Sequence, residues 1–166
     1  LIELGHERIL HVTGPESDTL FADRRSGYRK AMETAGLTPM EEELLDPLFV
    51  ANEPWEQWAK KIWAGPDSPT AVLVDDDIRA VLLMEALQRI GISVPDDVSV
   101  VGVNDDSICQ QIKPQLTSIR INIEEIARQA VELLIAKIRS TALPFCRDLV
   151  GTELIVREST AKCKKQ

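Results

Sequence analysis

Two strand-like runs, at residues 70–74 and 98–103, constrain the fold of this chain more than any other part of its sequence. The first run does not alternate apolar with polar residues, which is typical of a strand that is buried on both faces of a parallel sheet. Between the runs, apolar residues recur at helical spacing from residue 78 to residue 90, and Gly91 ends the pattern. The order of strand, helix and strand predicts an α/β fold with a parallel sheet and helices on both faces.

Each of these runs ends in a cluster of polar side chains. Asp75, Asp76 and Asp77 follow the first run, and Asn104 and Asp105 begin the cluster that follows the second. The carboxyl ends of neighbouring parallel strands meet at one edge of a sheet, where α/β proteins bind their ligands. Three interpretations stay open: a Mg²⁺ site built from oxygen ligands, a site for the hydroxyls of a sugar or nucleoside, or a helix cap at Asp77 with the other side chains in water.

The remaining elements follow from shorter patterns. Further strands are predicted at residues 9–13, 116–121 and 149–156, and an edge strand at 44–50, because Pro47 cannot donate to a sheet. Further helices are predicted at residues 20–35, 52–63 and 122–139, the last of which begins with an Asn-x-x-Glu capping box. The basic residues of the first helix are expected to face solvent, except for one arginine near its start that could reach a ligand. His11 is expected to be a packed core side chain.

Composition and missing motifs exclude several classes of protein. The net charge of -8 opposes a sequence-independent grip on nucleic acid, since that grip depends on Lys and Arg neutralising phosphates. No apolar run approaches the roughly 20 residues of a membrane span. The three cysteines lack a Cys-x-x-Cys pair, so reduced thiols in a cytoplasm are expected rather than a metal site. Without a nucleophile elbow or a phosphate-binding loop, the sequence predicts no enzyme and no cofactor.

A series of short motifs occurs along nearly the whole chain, from residue 4 to residue 159. In order, they are Gly-His-Glu-Arg-Ile at 5–9, Gly-Pro at 14–15, Arg-Arg-Ser-Gly-Tyr-Arg-Lys-Ala-Met at 24–32, Pro-Thr-Ala at 69–71, Val-Pro-Asp-Asp-Val-Ser-Val-Val-Gly at 94–102, Leu-Thr-Ser-Ile at 116–119 and Val-Arg-Glu-Ser at 156–159. This ordered set resembles the LacI/GalR (lactose and galactose repressor) family of bacterial transcription regulators. The stretch at 94–102 is the most specific part of the resemblance.

The resemblance implies a three-layer lobe of the periplasmic-binding-protein-like (type I) fold. Family members carry an N-terminal helix-turn-helix, followed by a two-lobed effector domain with its ligand in the cleft between the lobes. Residues 1–121 and 148–159 would form the C-terminal lobe. Residues 122–147 would belong to the N-terminal lobe, and residues 160–166 would form a tail.

The resemblance also implies which residues contact the effector. Arg24, Asp76 and Asn104 match the polar positions of the family cleft, with Asp77 as the helix cap. Asn104 stands where the family usually has an aspartate, so a different hydroxyl pattern is expected. Ile121 follows the Thr-Ser-Ile-Arg stretch, at a position where a polar ligand contact often lies, and it is the fourth candidate.

The helix at residues 78–90 has an apolar set too wide for one stripe on a sheet. The apolar residues beyond such a stripe suggest a second contact. This surface resembles the one through which members of the LacI/GalR family form dimers. The sequence therefore predicts a homodimer. The predicted interface residues are Ile78, Val81, Leu82, Met84, Ile108, Cys109 and Ile112.

The implied function is to sense a small-molecule effector: a sugar, a sugar phosphate or a nucleobase-like compound. Effector binding would shift the equilibrium between two lobe arrangements, and the helix-turn-helix of the whole protein, the only part to contact operator DNA, would respond to that shift. A cytoplasmic location with no membrane contact is expected. One alternative is a periplasmic sugar-binding protein of a transporter, which shares the two-lobed fold. Another is an α/β enzyme with an acidic cluster, such as a phosphatase or a receiver-like domain.

Overall fold

The computed structural model of the chain describes residues 1–43, 55–139 and 148–164. The predicted edge strand at 44–50, the predicted start of a helix at residue 52 and the connection at 140–147 lie outside the described residues. The described elements, in chain order, are β1 (Ile9–Thr13), α1 (Thr19–Thr34), β2 (Met40–Glu43), α2 (Trp55–Ile62), β3 (Ala71–Val74), α3 (Asp77–Arg89), β4 (Ser99–Asn104), α4 (Ile108–Gln111), β5 (Thr117–Ile121), α5 (Ile123–Arg139) and β6 (Thr152–Ile155).

Six strands form one sheet in the order β2-β1-β3-β4-β5-β6. The first five strands run parallel to one another, and β6 is antiparallel to β5. The predicted α/β fold with a mostly parallel sheet is thus confirmed. The strand β2 was not predicted, because its Met-Glu-Glu-Glu sequence carries no apolar pattern. Its charges are matched by α1, where Arg29 donates to both carboxylate oxygens of Glu41, at 2.7 and 2.8 Å.

One face of the sheet, here called the closed face, is covered by α2, α3 and α4. Leu10 and Val12 of β1 and Val72 and Val74 of β3 point into this face and are almost completely buried. The helix α3 supplies most of the matching apolar side chains. Its apolar residues with at most 2% exposure are Ala80, Leu83, Ala86 and Leu87. Most of the apolar side chains of α3 therefore belong to the core of the chain, and only the remaining ones are available for another contact.

The opposite face, here called the open face, is covered by α1 alone among the described helices. Tyr28 and Met32 of α1 pack against Ile9 and Ala71. The strands farther from α1 line a groove of about 740 Å³, in which Val101 and Val103 are 6% and 5% exposed and Leu154 is 54% exposed. Strand residues along this groove are Leu73, Val101, Val103, Ile119 and Leu154.

The helix α5 has no buried residue. Asn122 caps it as predicted, with its Oδ1 atom accepting a hydrogen bond from the Glu125 backbone N–H at 3.1 Å. Its apolar residues are nevertheless exposed, Leu134 at 60% and Ile138 at 73%. This exposure agrees with a helix that packs on another lobe, but the assignment of residues 122–147 to such a lobe stays a prediction. None of the described helices is both long and apolar enough to cross a membrane.

Candidate functional site

A hollow of about 270 Å³ lies at the carboxyl-terminal edge of the parallel strands, between the starts of α1 and α3. Three of its lining residues are the predicted polar contacts Arg24, Asp76 and Asn104. The structure thus brings together residues that are 80 positions apart in the chain. The other lining residues are Leu20, Phe21, Asp75, Ile78 and Arg79.

Arg24 reaches the hollow from the second turn of α1. The Oδ1 atom of Asp18 caps this helix by accepting from the Leu20 backbone N–H at 2.9 Å. Gly14 brings the end of β1 close to α1, because a Cβ atom at this position would lie 2.4 Å from the ring of Phe21. The guanidinium of Arg24 donates from Nη1 to the backbone oxygen of Asp75 at 2.7 Å. This hydrogen bond fixes Nη1 of the guanidinium, while the other N–H groups of Arg24 can donate to a ligand.

Asp76, and not Asp77, is the cap of α3. The backbone of Asp76 is extended, and its Oδ1 atom accepts from the Arg79 N–H at 3.1 Å. The prediction that Asp77 is the cap was therefore wrong. Asp77 is the first residue of the helix itself. Its side chain does not accept from an N–H of the first turn but bonds with Ser118 and Asp106. Asp76 keeps its second carboxylate oxygen for the hollow.

Asp77 is completely buried and ties three segments together. It accepts from the hydroxyl of Ser118 at 2.6 Å and from the Asp106 N–H at 2.8 Å. Burial raises the pKa of the Asp77 carboxyl above its usual value, and these hydrogen bonds offset part of the rise. Gly102 makes room for the carboxylate, because a Cβ atom there would lie 2.1 Å from Asp77 Oδ1.

The thiol of Cys109 is completely buried beside Asp77. Burial, together with a hydrogen bond to Asp77, raises the pKa of Cys109 to about 12. The predicted role of Cys109 in a dimer interface is therefore wrong, because no part of its side chain reaches the surface. Sequence reasoning missed this contact, since nothing in the spacing of the two residues marks it.

Asn104 presents its amide to the hollow from an unusual backbone conformation. Asn104 and Asp105 have positive φ angles of 116° and 61°, and Asn and Asp are among the non-glycine residues that are enriched at positive φ. Asp105 holds the turn through its N–H, which donates to Ser118 Oγ at 3.0 Å. Burial alone would raise the pKa of Asp105, but hydrogen bonds from Arg157 and Arg120 outweigh it and lower the pKa below its usual value. The turn that carries Asn104 is thus fixed from two sides.

The carboxylates that follow β3 do not converge on one point. The carboxylate of Asp75 turns to β1, where it bonds with His11 and Thr13, and that of Asp77 turns to β5. Among the residues that the structure describes, no three His, Cys, Asp or Glu side chains are placed to hold a metal ion. The geometry gives no support to the Mg²⁺ interpretation of the acidic cluster.

The remaining predicted positions lie outside the hollow or at its rim. Ile121 is the last residue of β5, opposite Thr152 of β6, and does not line the hollow. Of the predicted dimer residues, Ile78 is 46% exposed at the rim, whereas Val81 and Met84 are 9% and 7% exposed. Leu82, Ile108 and Ile112 are half-buried.

The hollow suits a small ligand with hydroxyl or amide groups. It offers a cation from Arg24, an acceptor from Asp76 and an amide from Asn104 that both donates and accepts. Leu20, Phe21 and Ile78 add apolar surface beside these groups. A few placed polar groups in an otherwise apolar concavity are typical of small-molecule sites.

Comparisons with known proteins agree with this geometry. The family model of the periplasmic binding protein-like domain matches residues 1–160. The HTH-type transcriptional repressor CytR of Escherichia coli (strain K12) is 31% identical over 165 residues, which cover 96% of this chain and 47% of the repressor. The chain spans about half the length of the curated relatives it matches.

Two solved structures have the same fold at similar identity. A dimeric Lac repressor with a C-terminal deletion superposes with a TM-score of 0.85 at 26% identity, over 98% of this chain and 59% of that one. The complex of the transcriptional regulator CelR with cellobiose superposes with a TM-score of 0.81 at 27% identity, over 96% of this chain and 48% of that one. The chain belongs to the family of periplasmic binding protein-like domains, in the form that LacI/GalR-family transcription regulators carry.

Proposed function

We propose that this chain is the effector-sensing part of a bacterial transcription regulator, in which a small molecule bound between two lobes changes the affinity for operator DNA. The observation that carries the proposal is the convergence of Arg24, Asp76 and Asn104 on one hollow at the edge of the sheet. Relatives that are named as repressors, among them CytR, support regulation rather than transport or catalysis.

The ligand would be a compact molecule with hydroxyl or amide groups. A regulator with the same fold binds cellobiose, which supports a sugar as one candidate. The charged residues whose side chains are not turned away from the hollow are Arg24, Arg79 and Asp76, since the carboxylate of Asp75 turns to β1.

The mechanism would be linkage between two binding events. The hollow would form one wall of a cleft between two lobes, and the exposed apolar residues of α5 support a second lobe that packs on this helix. An effector that binds the closed arrangement of the lobes more tightly than the open one shifts the equilibrium by that difference in affinity. A DNA-binding segment elsewhere in the whole protein would respond to the shift.

The whole protein is proposed to act as a cytoplasmic homodimer that contacts operator DNA only through a helix-turn-helix. In this chain, Val81, Met84 and Ile112 line a second hollow of about 460 Å³ on α3 and the segment after α4. A partner subunit could contact these residues and the half-buried Leu82 and Ile108. Light scattering at high protein concentration should give twice the mass of the monomer.

A thermal-shift experiment on the full-length protein tests the ligand proposal. The compounds are cellobiose, adenosine, hypoxanthine and glucose 6-phosphate, one for each chemical class. A ligand at about 100 times its Kd adds about 2.7 kcal/mol to the free energy of unfolding, so the Tm should rise by several degrees. The Arg24→Ala variant should lose the shift, whereas Lys30→Ala, an exposed change on the same helix, should keep it. A shift that survives Arg24→Ala unchanged would contradict the site.

A further inference from the structure

A buried polar cluster formed by His11, Thr13 and Asp75 lies directly beneath the hollow. The Asp75 carboxylate accepts from His11 Nε2 at 3.0 Å through Oδ1 and from Thr13 Oγ1 at 2.5 Å through Oδ2. These three residues are 0%, 1% and 3% exposed, respectively. Burying a carboxylate costs free energy unless hydrogen bonds satisfy it. A buried polar cluster in this position therefore needs an explanation.

The cluster extends the pairing of β1 with β3 beyond its last backbone step. The two strands pair up to Val12 and Val74, and the Asp75 N–H donates to the Val12 oxygen at 3.1 Å. Thr13 comes next in this register, and it bonds with Asp75 through the side chains. His11 adds a second bond from the same face of β1. The Asp75 residue is therefore fixed through both its backbone and its carboxylate.

Two elements of the hollow depend on the position of Asp75. Its backbone oxygen accepts the 2.7 Å hydrogen bond from Arg24 Nη1. The next residue, Asp76, caps α3 and lines the hollow. A shift of the Asp75 peptide would therefore move the acceptor of Arg24 and the start of α3 together.

We propose that Asp75 is a positioning residue of the effector site and acts through Arg24; this inference rests on the proposed function of the hollow. An arginine has four rotatable side-chain bonds, and ordering a free one costs binding energy. By presenting a fixed carbonyl, Asp75 orders Arg24 before the ligand arrives. His11 and Thr13 contribute by holding the Asp75 carboxylate, and neither of them lines the hollow.

The first test needs no ligand. In ¹⁵N NMR spectra of the full-length protein, the side-chain Nε–H signal of Arg24, assigned by its loss in Arg24→Ala, should report restricted motion. In Asp75→Ala this signal should become mobile, and in Asp75→Asn it should stay restricted, because the amide oxygen can still accept from His11. If Asp75→Ala does not fold, Thr13→Val removes one of the two bonds at nearly constant shape and should loosen Arg24 partially. An Arg24 signal that is unchanged in the folded variants would overturn the proposal.

The second test is a double-mutant cycle on ligand affinity, using whichever compound of the thermal-shift series stabilises the wild-type protein. Asp75→Ala should weaken binding by about tenfold in the wild-type background. It should weaken the residual binding, measured at higher ligand concentration, by less than about twofold in the Arg24→Ala background, where there is no arginine left to order. Leu87→Ala, in the core and distant from the hollow, should lower the Tm without changing the affinity.

The outcomes separate this inference from the proposed function. Equal losses of affinity in the two backgrounds would overturn the positioning role and leave the hollow as the ligand site. If no compound binds, or if binding ignores Arg24→Ala, the proposed function fails, and the NMR measurement alone then decides whether Asp75 orders Arg24.

Discussion

The two faces of the sheet are built from the same strands but differ in how they are covered. On the closed face, α3 buries Leu83 and Leu87 completely against the alternating valines of β3 and β4. On the open face, α1 covers β1 and β3, and the apolar side chains beyond them line a groove. Most of the buried apolar side chains of this chain therefore lie on one face, while the other face keeps apolar surface that its described helices do not cover. Substitutions on the two faces should therefore have very different effects.

The largest difference should come from truncating one leucine on each face. Leu83→Ala on the closed face should lower the free energy of unfolding by about 3 kcal/mol, because it leaves a cavity among buried side chains. Leu154→Ala on the open face should change it by less than about 0.5 kcal/mol, since this leucine is 54% exposed. Urea titrations of the two variants measure both values. Similar losses would mean that the open face is covered in solution.

A methyl group added to the closed face should be the next most damaging change. Gly102→Ala places a Cβ atom 2.1 Å from the Asp77 oxygen, so the carboxylate must leave Ser118 or the strand must move. We expect a loss of about 2 kcal/mol or more, because overpacking adds to a broken buried hydrogen bond. Urea titration would show it, and a loss below about 0.5 kcal/mol would contradict the tight contact.

The buried thiol of the closed face should make the chain sensitive to alkali. The folded pKa of Cys109 is about 12, while the unfolded thiol has its ordinary pKa near 9, so the folded state keeps a proton that the unfolded state loses. Stability from this group is full below pH 9 and falls by up to about 1.4 kcal/mol per pH unit above it.

Urea titrations between pH 8 and pH 10.5 would measure this slope. In the Cys109→Ala variant, the free energy of unfolding should fall less steeply with pH, because the contribution of this thiol is absent. Iodoacetamide provides a matched control at the surface, since it should react readily with the partly exposed Cys163 and leave Cys109 intact in the folded protein. Fast alkylation of Cys109 would argue against its burial.

The smallest expected effect is a gain on the open face. Gly27 lies within α1 and lines the groove, and a Cβ atom there would meet nothing within 4 Å. Gly27→Ala should raise the free energy of unfolding by about 0.5 to 1 kcal/mol, because alanine loses less backbone entropy than glycine in a helix. A rise in Tm would confirm it. Destabilisation would show that another surface approaches this position.

The sequence predicted the closed face better than the open one for a physical reason. A strand that is buried on both faces, such as β3, needs a continuous run of apolar residues, and that run is visible without any structure. The strand β2 could not be predicted in the same way, because its glutamates are matched by Arg25 and Arg29 of α1. Those arginines were expected to face solvent. Ion pairs between distant segments leave no periodic pattern in a sequence.

The polar residues of the site were predicted as a group, but not in their individual roles. Arg24, Asp76 and Asn104 do meet at one hollow. The choice between Asp76 and Asp77 as the cap could not be made from two adjacent aspartates, because it depends on the space that Gly102 leaves for a buried carboxylate. His11 was correctly expected in the core, but its partner Asp75, 64 residues away, gave no local signal.

The antiparallel strand β6 has a mechanical consequence. The chain leaves the sheet at Ile121 and re-enters it at Thr152, directly opposite in the register, so the end of β5 and the start of β6 lie side by side. Two connections at adjacent strands can bend together about a single axis, but they oppose a twisting motion. A displacement of α5 would therefore act on the sheet at β5, the strand that pairs with β4 and its last residue Asn104. The edge that carries the hollow is also the edge on which such a hinge would turn.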